Sequence, residues 1–138
     1  MNSVTPTQVQ AWLDAYKRAW ETRDAALIAS IFTQDATYRE TPFRAPDEGR
    51  GGIRDYWRRN VVGGQRDIAF SCEIWTVEGN VGIAHWRSAF TATSTGERVR
   101  LDGIFRLTFE QTQADAVLCR RLEEWWHETK APAGDSVL

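Results

Sequence analysis

Glu40 sits in the stretch Tyr38-Arg39-Glu40-Thr41-Pro42-Phe43, an acid between aromatic neighbours. In an extended strand, side chains two positions apart share a side, so Tyr38 and Glu40 point the same way. If that side is the interior, the carboxylate lies among rings. Burial penalises its charged form and raises its pKa, which makes an acidic side chain a usable proton acceptor near neutrality. The chemistry to expect is removal or shuttling of a proton. The plainer alternative is that Glu40 pairs with Arg39 or Arg44 and closes the rim of a cavity. Cys72 and Cys119 stand far apart, in no CxxC or Cys/His cluster. Metal ligation and redox chemistry therefore lack support, and no metal or cofactor is expected.

Such a site needs elements to hold it. Thr5-Pro6 supplies a capping hydroxyl and a proline suited to the first helical position, and Val9, Trp12, Leu13, Tyr16, Ala19 and Trp20 recur at helical spacing. Asp24 can cap a second, shorter helix whose stripe is Ala25, Leu27, Ile28, Ile31 and Phe32. A strand is predicted over 36–41, a loop from Pro42 to Gly52, and a third helix carrying Ile53, Tyr56, Trp57 and Val61 inward until Gly63-Gly64 stops it. From Asp67 the period changes to two. Strands are predicted over 67–78, 81–93, 97–110 and 117–128, with turns at Gly79-Asn80 and Ser94-Thr95-Gly96. The expected class is α+β: three N-terminal helices packed on one face of a mostly antiparallel sheet. Residues 1–130 form one domain, and 131–138 read as a mobile tail.

Seven Trp, six Phe and three Tyr in 138 residues are a heavy aromatic load. Large rings fill cores where helices lie on sheets, and the same residue types line ligand pockets, so both readings stand. The net charge of -2, with no basic run, argues against a nucleic-acid partner. Arg54, Arg58 and Arg59 read as a solvated helix face. With no signal segment and no long apolar run, neither a membrane nor an export route is indicated, and a cytoplasmic location is the default.

The element order, together with Ala11-Trp12 to Arg23-Asp24, Asp35-Ala36-Thr37, Gly52-Ile53, Tyr56-Trp57, Leu101-Asp102-Gly103-Ile104-Phe105 and Glu124-Trp125-Trp126-His127, resembles the nuclear transport factor 2-like superfamily. That superfamily includes ketosteroid isomerases and SnoaL-like polyketide cyclases. The resemblance implies a cone-shaped (cystatin-like) fold with a pocket between the first helix, the third helix and the concave sheet face. It places Trp126 inward, and by parity Glu124 and Leu122 with it, along with Ala84, Trp86 and Ser88 on one central strand and Gly103, Phe105 and Leu107 on its neighbour. His85, His127, Arg87, Asp102 and Arg106 then face outward, Asp102 toward Arg100, Arg106 or a second subunit.

In ketosteroid isomerases the base is a carboxylate near the end of the short strand, just before a proline, and Glu40 matches that place with Thr41 intervening. The oxyanion tyrosine of the first helix is matched by Tyr16. The protonated aspartate of the penultimate strand is not matched, since Phe105 or Gly103 stands there. The implied catalytic set is Glu40 with Tyr16, assisted by Glu124. The implied ligand set is Trp20, Tyr38, Tyr56, Trp57, Trp86, Phe105, Leu122 and Trp126 around a small apolar molecule. The resemblance also implies a homodimer through the convex face, at Trp75, Val81, Ile83 and Trp125, with Glu73, Glu123 or Asp102 as partners for Arg87 and Arg106. Two functions follow: an isomerase, cyclase or lyase with a pocket carboxylate as base, or a hydrophobic binding or dimerisation module without chemistry.

Overall fold

A computed structural model describes residues 3–112 and 114–132. Helix α1 (Pro6–Glu21) begins at a complete capping box, in which the Thr5 hydroxyl accepts from the Gln8 amide and the Gln8 side chain returns to the Thr5 amide. Its buried stripe is Val9, Trp12, Leu13, Tyr16, Ala19 and Trp20, as the spacing predicts. Asp24 caps α2 (Ala25–Ser30) through the Leu27 amide.

The second helix is shorter than predicted. Ile31 ends it, and Phe32 opens β1 (Phe32–Arg39), four residues before the expected strand. Phe32 pairs with Cys119, and the Trp12 indole donates to the Ile31 carbonyl at 2.8 Å. Tertiary pairing thus overrides a helical stripe in residues that are intrinsically good strand formers. The predicted loop contains a two-residue strand, β2 (Asp47–Glu48), paired with Thr37 and Tyr38. Gly49 follows with φ of 70°, a left-handed conformation that glycine adopts freely, and begins α3 (Gly49–Trp57). This helix runs into a wider π-helical turn over Arg58–Val62, closed by the Gly63 amide on the Arg58 carbonyl at 2.9 Å.

Four long strands complete the sheet: β3 (Gln65–Glu78), β4 (Val81–Ala92), β5 (Arg98–Gln111) and β6 (Val117–Ala131). Their order is β2-β1-β6-β5-β4-β3, antiparallel throughout except that β1 runs parallel to β6. Lys130 and Ala131 belong to β6, opposite Val99 and Arg98, because the ladder to β5 has partners for them; Ala131 is thus strand and not tail, and residues 133–138 of the expected tail lie outside the described residues. At the outer edge, α1 reaches over β3. The Lys17 ammonium donates to the Phe70 carbonyl at 2.8 Å, and the Phe70 amide donates to Glu21 at 2.9 Å. No helix among the described residues is long and apolar enough to cross a membrane.

The helices cover one face of the sheet, and rings fill the space beneath them. Tyr16 is surrounded by Trp20, Trp57, Phe70 and Phe105 with centroids 5.1–5.9 Å away. Trp86, Phe70 and Phe105 form a mutually stacked trio with centroids 5.2–6.4 Å apart. The opposite face carries His85 and Arg87 on Asp102, at 2.8 and 3.2 Å, and Arg106 on Glu123 at 3.0 Å. Asp102 therefore pairs with its neighbours on β4 rather than with Arg100 or Arg106, because strand register sets Arg87 directly opposite it. Those two donors, His85 first, hold its carboxyl below the usual carboxylate range.

Candidate functional site

Three strand positions of β6 set the wall of a cavity. Leu122, Glu124, Trp126 and Glu128 alternate onto the concave face, and the last three line a hollow of about 210 Å³. Across it, α1 presents Tyr16 and Trp20, and β1 presents Tyr38 and, in the bend just beyond its end, Glu40. Tyr56, Trp57 and Asn60 come from α3 and its π-turn. Parity thus carries through to Glu40, which shares the cavity with Tyr38.

Glu40 is held from both sides. One carboxylate oxygen accepts from the Tyr56 hydroxyl and the other is ion-paired with Arg44, which lies on the exposed loop between β1 and β2. The Trp126 indole donates to the Glu40 carbonyl at 3.0 Å and fixes the bend that carries it. The Arg44 pair is the rim-closing arrangement expected as the plainer alternative, yet the same side chain lines the cavity. Each carboxylate oxygen has two lone pairs, so one donor apiece leaves room for a proton.

Glu124 lies in a different environment. It is 7% exposed, and burial first, then the negative charge of Glu40, push its pKa well above the usual value; the Tyr38 hydroxyl offsets this only in part. Tyr38 in turn shares a 2.7 Å hydrogen bond with the Tyr16 hydroxyl. Burial, followed by the proximity of Glu124, raises the pKa of both phenols and of Tyr56, so all three are neutral hydrogen-bonding groups. Strand register places Glu124 directly opposite Phe105.

Three residues expected at the wall lie beneath it. Trp86, Phe105 and Leu122 are 1%, 0% and 0% exposed, and they pack the narrow end of the cone, where the rings and aliphatic chains leave no room for a ligand. Both readings of the aromatic load therefore apply, to different ends of one interior. The cavity is finished by residues not singled out from the sequence: Asn60, Gln65, Phe90, Leu101 and Glu128. Gln65 accepts from the Trp20 indole at 2.7 Å and Asn60 donates to the Tyr56 carbonyl at 3.0 Å. Leu101 and Glu128 continue inward alternations already visible in the sequence, whereas nothing there announces the π-turn that turns Asn60 toward the cavity. A broader hollow of about 500 Å³ lies around Arg87, Arg100, Asp102 and His127, and mostly polar and charged side chains line it. No cluster able to hold a metal ion occurs among the described residues.

Glu124 makes stability depend on pH. Its folded-state pKa is raised, so its contribution is fully present below the unfolded value near 4.5 and is lost as pH rises through the folded value. Glu124→Gln keeps the shape and removes the titration. Thermal melting should show the variant gaining on the wild type as pH rises from about 4.5 upward; a constant difference between pH 5 and 8 would contradict a buried neutral acid.

The fold has recognisable relatives. A hexachlorocyclohexane dehydrochlorinase (LinA-type3) from Novosphingobium barchaimii superposes with a TM-score of 0.77 at 14% identity, covering 96% of this chain and 92% of that one. A ketosteroid isomerase-like protein from Erwinia carotovora atroseptica gives 0.67 at 16% identity, over 86% and 92%. The epoxide hydrolase/cyclase-like enzyme SalBIII, described in pyran ring formation in the polyether salinomycin, gives 0.66 at 18% identity, over 86% and 89%. At these identities the likeness is one of fold, and no curated protein matches the sequence. The SnoaL-like domain family matches residues 9–115, which span α1 through β5, and the chain belongs to that family, within the nuclear transport factor 2-like superfamily.

Proposed function

We propose that the cavity is the active site of an isomerase, cyclase or lyase that moves a proton on a small, largely apolar cyclic carbonyl compound. Glu40 is the base. Glu124, kept neutral, and the Tyr16–Tyr38 pair supply hydrogen bonds to the oxygen where charge develops. The observation that carries this reading is the contrast between two carboxyl groups facing one aromatic cavity: Glu40, held by Arg44 and Tyr56, and Glu124, 7% exposed, in no ion pair among the described residues and with its pKa pushed up by burial. Such a split in environment is how one site holds a base and an acid together. Structural relatives named as a dehydrochlorinase and a cyclase-like enzyme agree with a fold that supports chemistry of this kind.

Binding without chemistry would use the same cavity, and hydrogen exchange separates the two. In D₂O, the protein should speed deuterium incorporation beside the carbonyl of cyclic ketones that it binds, read by NMR. Ketones that bind without faster exchange would leave a binding module only.

We also propose a homodimer through the convex face. Trp75 and Trp125 are 57% and 47% exposed there, and Arg87 and Arg106 already have partners within the chain, so pairing two such faces buries no lone charge. Sedimentation at micromolar concentration should give twice the chain mass, and Trp125→Glu should return it to the monomer. A monomeric wild type would refute the interface.

A further inference from the structure

The charge of the cavity lining is one-sided. Glu40, Glu124 and Glu128 line it, and among the described residues no lysine, arginine or histidine does. Arg44 compensates Glu40 from outside the lining, and the exposed Lys130 pairs with Glu128 at 3.7 Å. Glu124 has neither: it forms no ion pair among the described residues, and the Tyr38 hydroxyl is the side-chain donor turned toward it. Its carboxyl is a buried polar group with unused hydrogen-bonding capacity, open to the cavity.

The rest of the wall is aromatic. Trp20, Tyr56, Trp57 and Trp126 surround the same space, and ring faces carry the negative end of a quadrupole. Ring faces and carboxyl oxygens both attract an organic cation and both repel an anion. Glu124 and Glu128, four residues apart on one strand, set their Cα atoms roughly 13 Å apart. The acidic wall therefore runs from the buried end of the hollow to its mouth.

We propose that the ligand of this cavity carries a basic nitrogen: it is a small ring-bearing amine, bound as its ammonium ion against the acidic wall of β6 with its ring among the tryptophans. This rests on the cavity being the working site and names the class of compound that enters it; with an ammonium bound, Glu124 is ionised and the Tyr16–Tyr38 pair alone is left to donate to a ligand oxygen. Binding then has a proton signature. An ammonium beside Glu124 restores the ionised carboxylate, so the complex releases a proton that the free protein holds there. Facing Glu124 are Tyr16 from α1, Tyr38 and Glu40 from β1 and Tyr56 from α3. The phenols are displaced upward and stay neutral, so Glu124 is the group that gives up the proton.

Benzylamine, benzyl alcohol and benzoate share a ring and differ in charge. Titration calorimetry at pH 7 should find benzylamine about tenfold tighter than benzyl alcohol, and benzoate weaker still. Repeating the benzylamine titration in buffers of different ionisation enthalpy should reveal the released proton. In Glu124→Gln, which has no acid to ionise, the amine-to-alcohol ratio should fall to about twofold or less and the proton release should vanish. Equal binding of alcohol and amine, benzoate binding as well as the alcohol, an unchanged ratio in the variant, or no binding of any of the three at millimolar concentration would each overturn the assignment. The ketone exchange experiment fails or succeeds independently: amine selection without exchange refutes only the proton-transfer reading, and exchange without amine selection refutes only this one.

Discussion

Glu40→Gln should lower the rate of hydrogen exchange, or the kcat of any turned-over substrate, about 10²–10⁴-fold, the range typical of losing a positioned general base. Glutamine keeps the size and planarity of the side chain; its carbonyl oxygen can still accept from Arg44 while its amide nitrogen donates to the Tyr56 hydroxyl oxygen, so the cavity keeps its outline. It cannot take a proton at neutral pH. Ligand affinity, read by tryptophan fluorescence, should change far less than the rate, because the loss falls on the reacting atoms rather than on the walls. A rate within threefold of the wild type would remove Glu40 from the chemistry and leave it as a rim residue tied to Arg44.

The second large effect is on stability. Gly103 lies on β5 beneath the indole of Trp86, and a Cβ added there would come within 2.6 Å of the Trp86 ring and 2.8 Å of the Trp125 carbonyl oxygen. Neither neighbour can retreat easily, since the ring is packed against Trp20, Phe70 and Phe105 and the carbonyl belongs to the adjoining strand. Gly103→Ala should therefore cost about 3 kcal/mol, lowering the melting temperature by about 10 °C. Adding Trp86→Leu removes one of the two clashes, so the double variant should be more stable than the sum of the single effects requires. Strict additivity would mean that the strand, and not the ring, resists the methyl group.

Much of this architecture was legible because it rests on local rules. Thr5-Pro6 and Asp24 mark helix starts through satisfied amides, and alternation from residue 67 onward marks strands that bury one face. Boundaries failed where distant partners decide them: Ile31-Phe32 leaves the helix for a parallel neighbour about ninety residues away. The site followed the same division. Tyr38 and Glu40 share a side by parity, and Tyr16 follows from the helical stripe. Parity says which side faces inward, but not how far along the strand the interior is already full. Hence Trp86, Phe105 and Leu122 point inward without reaching the cavity. The partner of Glu40 was open for a similar reason, because a loop arginine's position is a matter of tertiary contact. Asn60 was hidden altogether, since a π-turn lacks a distinct sequence pattern.

The latch of Lys17 and Glu21 on the Phe70 backbone has a consequence for how this chain meets others. A long outermost strand is a template on which a foreign or identical segment can be zipped by main-chain hydrogen bonds, and here the amide and carbonyl of one residue are already occupied by side chains from the first helix. Annealing through that point requires the helix to lift away first. Fibril seeding and strand exchange at this border are thereby coupled to the same helix that carries Tyr16 and Trp20, and a chain with its cavity intact keeps that border shut.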